Sequence, residues 1–218
     1  SFNFFADNSD LLIKKLQSEM NGLSLQNGNV IVQKNKMTSI KSNFSTYVDL
    51  NKNNIEKYLS LLKNNKYLYE KINLRGKLNH NLNIIFDNTY KVKNYTYESK
   101  GDISSLDLTL DKVFESFLLK NNIKNLSLKN SILNFRNSSD KNNFINIKGN
   151  YKFNENDYQN FNLKNNFTVN DSKIELEINL AEELRLDIIN YIKEEGIVAK
   201  ISKIFKIKND LLNFEKID

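Results

Sequence analysis

The sequence predicts a mainly β protein, a long and mostly antiparallel sheet carrying two or three short helices. Three observations lead there. Apolar and polar residues alternate over long runs, and the clearest is "INLRGKLNHNLNIIF" from Ile72 to Phe86. In that run every even position is apolar except Gly76 and His80, so one face is greasy for about three times the usual strand length. Breakers are scarce, with no proline and only 6 glycines in 218 residues, which favours long uninterrupted elements. The segments between the runs are short and polar, as an antiparallel meander requires.

The elements follow in order. "NSDLLIKKLQSEMNG" reads as a short helix, capped by Asn8 or Ser9, striped by Leu12, Ile13 and Leu16, and stopped at Asn21-Gly22. "LSLQNGNVIVQKN" and "MTSIKSNFSTYVDL" alternate as strands, with Asn27-Gly28 either a hairpin turn or a bulge. "NKNNIEKYLSLLKNNKYLYEKI" has helical period, with Ile55, Leu59 and Leu62 on one face, Tyr58 beside them, and Tyr67, Leu68 and Ile72 as a continuation. Asn51 to Asn54 offer its cap, and the flanking sheet is its expected partner. After the Ile72–Phe86 run, "DNTY" turns the chain. "KVKNYTYESKGDISSLDLTL" then carries Tyr95, Tyr97, Gly101 and Ile103 on one parity and Leu106, Leu108 and Leu110 on the other. A slip at Ser104-Ser105 of this kind marks a β-bulge or a bend. "DKVFESFLLKNN" fits a short helix with Val113, Phe114, Phe117 and Leu118 inward.

From Ile123 the pattern is strand after strand, including "IKNLSLKNSILNFRN", "NFINIKGNYKF", "NFNLKNNFTV" and "SKIELEINL". The turns are "NSSDKNN", "NENDYQN" and "NDS". "AEELRLDIINYIKEEGIVAKISKIFKIKND" fits a helix through Leu184, Ile188 and Ile192, or strands turning at Glu195-Gly196. Its β-branched content favours strands. No linker-like composition divides the chain, so residues 1–218 read as a single continuous segment. "SFNFFADNSD" has neither the basic start nor the apolar core of a signal peptide. The expectation is a piece of a longer protein, with any targeting signal or membrane anchor outside it.

Composition narrows the functional classes. With no cysteine there is no disulfide or thiol chemistry. Asparagine is about 18% of the residues, far above typical usage, but it sits at alternating and turn positions, as drift in an AT-rich genome produces. Net charge is +6. Lysines are spread along the chain and Arg occurs only at Arg75, Arg136 and Arg185, so a solvated face is expected and no nucleic-acid partner. His80 stands alone on an apolar parity, which predicts a tolerated sheet-face residue and no metal site. Glu182-Glu183 and Glu194-Glu195 are adjacent and face opposite ways in a strand, so neither pair forms an acid/base couple. No nucleophile elbow, phosphate loop, dinucleotide fingerprint or metal loop is present. The reading is no enzyme and no cofactor.

What remains is more apolar sheet face than short helices can cover. Three arrangements solve that problem: a sandwich burying the face on itself, a membrane barrel turning it to lipid, or a strongly curved open gutter holding lipid chains. Irregular turns and interrupting helices put the barrel last.

The run from "NKNNIEKYLSLLKNNKYLYEKINLRGKLNHNLNIIFD" through "YKVKNYTYESKGDI", "IKNLSLKNSILNFRN" and "FINIKGNYKFN" resembles a repeated pattern in large bacterial envelope proteins. These are the AsmA-like family, with its YhdP and TamB branches, and the likeness spans roughly Gly22 to Asn190. The resemblance implies a β-taco, a long β-groove in the periplasm. It also implies anchoring to the inner membrane through a segment not present here, and carriage of phospholipid to the outer membrane. Acyl chains and the two membranes would be the partners. The family supplies no catalytic residues. By parity, the lipid-lining residues are Leu74, Leu78, Leu82, Ile84 and Phe86, with Ile145, Ile147, Tyr151, Ile174, Leu176 and Ile178. The alternative is a structural or adhesive β-sandwich with self-packed sheets and no ligand.

Overall fold

A computed structural model describes residues 1–59, 69–115, 119–186, 190–208 and 211–217. The first half of the chain gives β1 (Asn3–Ala6), β2 (Asp10–Met20), β3 (Leu23–Lys34), β4 (Thr38–Asn51), α1 (Lys52–Leu59), β5 (Tyr69–Phe86) and β6 (Val92–Phe114). The second half gives β7 (Ile123–Ser138), β8 (Asn143–Phe153), β9 (Gln159–Phe167), β10 (Asp171–Leu180), β11 (Leu184–Leu186), β12 (Tyr191–Lys193), β13 (Ala199–Lys208) and β14 (Leu211–Ile217). Twelve strands make one sheet in the order β1-β2-β3-β4-β5-β6-β7-β8-β9-β10-β13-β14, every neighbour antiparallel. The sheet is open, with β1 and β14 as its edges, and β11 and β12 form a separate hairpin.

The mainly β, antiparallel expectation holds, and the Ile72–Phe86 ribbon lies within the 18 residues of β5. Among the described residues there is one helix, not two or three. That helix is the one with the strongest period. Asn51 Oδ1 accepts from the Asn54 amide at 3.1 Å, and the Tyr58 hydroxyl donates to the Met20 carbonyl at 2.6 Å. Leu62, Tyr67 and Leu68 lie outside the described residues, and Ile72 belongs to β5.

The helix expected at Asp10–Met20 is a strand. Leu11 and Ile13 pair with Val32 and Val30, then the register shifts and Leu16 faces Gly28. Lys15 adopts a positive φ of 54°. The extra residue in this bulge moves the inward parity from odd to even, so Ile13 and Leu16 come three apart as they would on a helix. The helix expected after Leu110 is likewise absent over Asp111–Phe114. Phe114 pairs with Ile123, and Val113 and Phe114 are exposed, while Phe117 and Leu118 lie outside the described residues. Asn27-Gly28 is a bulge and not a hairpin, since β3 runs through it. The segment after Leu180 forms strands, with Glu195-Gly196 turning and Gly196 at φ 85°.

The parity slip in β6 falls where the sequence places it. Arg75 opposes Ser105 and Gly76 opposes Ile103, which leaves Ser104 as the inserted residue. Across from it on β7, Asn130 takes a φ of 49°, and β8 again has one residue fewer at that level. Two adjacent strands therefore share one insertion, and the apolar face is continuous through it.

The described strands of the large sheet form a single layer. The accessible surface is 14864 Å², against about 10,400 Å² for a compact monomer of 25.5 kDa. Buried apolar side chains are confined to Ile123, Tyr151, Leu180 and Leu184 among the described residues. They meet at one corner, where the segment carrying β11 and β12 comes back to the sheet. There Leu119 bridges to Leu184, and the Tyr151 hydroxyl donates to the Asn179 carbonyl at 2.8 Å. Lys193 is 4% exposed, and its ammonium donates to the carbonyls of Ala181, Glu194 and Ile197.

Candidate functional site

Strand register shows which side chains share a face, because directly paired residues point the same way. One row runs Thr46, Leu78, Gly101, Leu133, Ile147, Leu163, Leu176 and Lys203 across β4 to β10 and β13. The next runs Phe44, His80, Ser99, Phe135, Ile145, Asn165, Ile174 and Phe205. The sequence-derived lining residues of β5, β8 and β10 therefore lie on one face, although parity alone could not relate one strand to another. Leu74 pairs with Leu50 and Leu106, Leu82 with Ser42 and Tyr97, and Ile84 with Ile40 and Tyr95. Phe86 pairs with Thr38 and Val92, and Ile178 with Phe161 and Ile201. Tyr151 pairs with Leu128 and Gln159. It is the one lining residue fully buried, at the closed corner, and the other ten are half-buried.

Ten apolar side chains on one face thus keep contact with solvent, and no second sheet among the described residues seals that face. The opposite face is wet. Arg75 pairs with Asp49 at 3.1 Å and Lys200 with Glu177 at 3.5 Å, each across two strands. Arg136 bridges Glu98 and Asp140, and hydrogen bonds join Ser45 to Asn79 and Asn150 to Asn160. These exposed pairs add little stability, but they keep that face soluble. They also spread opposite charges over that face without gathering them into a tract.

An aromatic bar crosses the apolar face. Ring centroids are 4.6 Å apart for Phe44 and His80, 5.9 Å for His80 and Tyr97, 5.9 Å for Tyr97 and Phe135, and 6.3 Å for Phe135 and Phe167. The last two rings stand on β7 and β9 and lean together over β8. His80 is thus not an isolated residue: its Nδ1 is 2.8 Å from the Tyr97 hydroxyl. Burial lowers the His80 pKa and raises that of Tyr97. At the closed corner burial pushes the Tyr151 phenol up as well. The sequence had these aromatics on the right parity but could not align them. The caged Lys193 had no local signal, because its three carbonyls come from a folded-back loop.

No described helix is long and apolar enough to cross a membrane. In comparisons with known proteins, no family model, curated protein or solved structure matches the chain.

Proposed function

We propose that the chain is a segment of a lipid-transfer protein of the bacterial periplasm, whose apolar face carries phospholipid between the inner and outer membranes. The observation that carries this reading is the largely apolar face that runs from β4 to β10, over which the described residues place no second sheet. Twelve strands at about 4.8 Å spacing give the face a width of roughly 50 Å across the strands. Acyl chains lie along its rows, and each buried methylene contributes about 0.8 kcal/mol. Since the rows offer many similar sites, a lipid moves between them without chemistry. The bulges in β2, β3, β6 and β7 favour local bending and twist, and in this reading they help the sheet curl into a gutter. The chain is anchored to the inner membrane through parts outside this segment, with phospholipid head groups at the wet rim.

The sandwich alternative needs a second sheet face packed on this one. The half-buried lining argues against it, because a sealed core would bury Leu78, Leu82 and Ile147 fully. The test loads delipidated protein from vesicles, re-isolates it and counts bound phospholipid. Wild type should carry lipid above background, and the Leu82→Asp, Ile84→Asp double variant should lose it while keeping its β circular dichroism. Wild type without lipid contradicts the proposal. Loss of the fold in the variant points to a closed core instead.

A further inference from the structure

The apolar face contains two buried polar atoms whose hydrogen-bonding capacity is not filled. His80 lies between Phe44 and Tyr97, is 7% exposed, and its Nε2 has no partner. Directly opposite on β6 is Ser99, 4% exposed, whose Oγ interacts with the Tyr97 hydroxyl but completes no hydrogen bond of good geometry. Buried polar groups are nearly always paired, so two on facing residues require an explanation.

The hydrogen bond between His80 Nδ1 and the Tyr97 hydroxyl, 2.8 Å long, fits either ring tautomer, and we take the one in which the phenol is the donor. A phenol donating to Nδ1 leaves the imidazole proton on Nε2. The two atoms are then an N–H donor and a serine hydroxyl that rotates to donate, so together they ask for one acceptor oxygen. The surroundings decide its charge. The side chains sharing the face around the pair are Phe44, Leu78, Leu82, Tyr97, Leu133 and Phe135, and none is ionised to balance an anion. A charged oxygen would be penalised there, and a neutral carbonyl would not. The neutral acceptor that sits next to acyl chains is the carbonyl of their ester linkage.

We propose that His80, Ser99 and Tyr97 form a polar station that hydrogen-bonds the ester carbonyl of a glycerolipid bedded on the face, with Tyr97 positioning the imidazole. This rests on the lipid-transfer reading and adds a ligand class to it. The station registers the lipid at one place on an otherwise uniform surface. Both atoms are covered in the unliganded face, so the carbonyl enters as the chain displaces the side chains above them.

The test compares two phosphatidylcholines of equal chain length, one ester-linked and one ether-linked, binding to the delipidated protein. The ether lipid keeps head group and chains and lacks only the carbonyls. Wild type should bind the ester lipid roughly tenfold more tightly, the size of one good hydrogen bond. Ser99→Ala and His80→Phe should each bring the ratio of ester-lipid to ether-lipid affinity down to about one. Equal affinity of wild type for both lipids, or variants that keep the preference, overturns the station while the lipid-transfer reading stands. Binding of neither lipid overturns both. The wild-type comparison stands even if a variant fails to fold.

Discussion

The single histidine of the chain is sandwiched between aromatic rings, and burial holds its imidazole below the ordinary value of 6.5. On unfolding, His80 takes up a proton near pH 6.5, whereas in the folded sheet it does so only at lower pH. Its contribution to stability is therefore complete above pH 6.5 and is lost as the pH falls below that value toward the folded pKa. Urea midpoints should decline on acidification through this window, and His80→Phe should flatten the decline there. A midpoint that falls equally in the variant would assign the loss to carboxylates. Parity alone placed His80 on the correct face and suggested a tolerated residue. Its ring partners were not legible, because Phe44 and Tyr97 become its neighbours only through the register of two other strands.

At the level of elements, the long ribbons were legible because their alternation is a local property. The bulges were legible only where they broke a clean alternation, as at Ser104. In β2 the same device imitated a helix: Lys15 is accommodated in the bulge, and the spacing from Ile13 to Leu16 changes from two to three. The paired insertion at Ser104 and Asn130 makes a prediction of its own. Deleting either residue leaves β6 and β7 mismatched by one, whereas deleting both restores an unbulged ladder from β5 to β8. The double deletion should therefore lose less stability than the two single deletions summed, by about 1 kcal/mol or more in a urea-midpoint cycle. Additive losses would mean that the two bulges are independent.

For the whole molecule, composition and pattern predicted an excess of apolar sheet face but not its fate. Whether strands stack in two layers or lie in one depends on long-range pairing, which alternation within a strand does not encode. The described strands of the large sheet form one layer, with every neighbour antiparallel and a small closed corner around Tyr151, Leu180 and Leu184. Function follows from what lies against that layer. The chain has no tryptophan, so a single introduced indole reports its surroundings without background. Leu82 and Asn83 are adjacent in β5 and face opposite sides of the sheet. With phospholipid brominated in its acyl chains, the fluorescence of Leu82→Trp should be quenched strongly and that of Asn83→Trp should not. Equal quenching of the two, or none at Leu82→Trp, would contradict an apolar face that holds acyl chains.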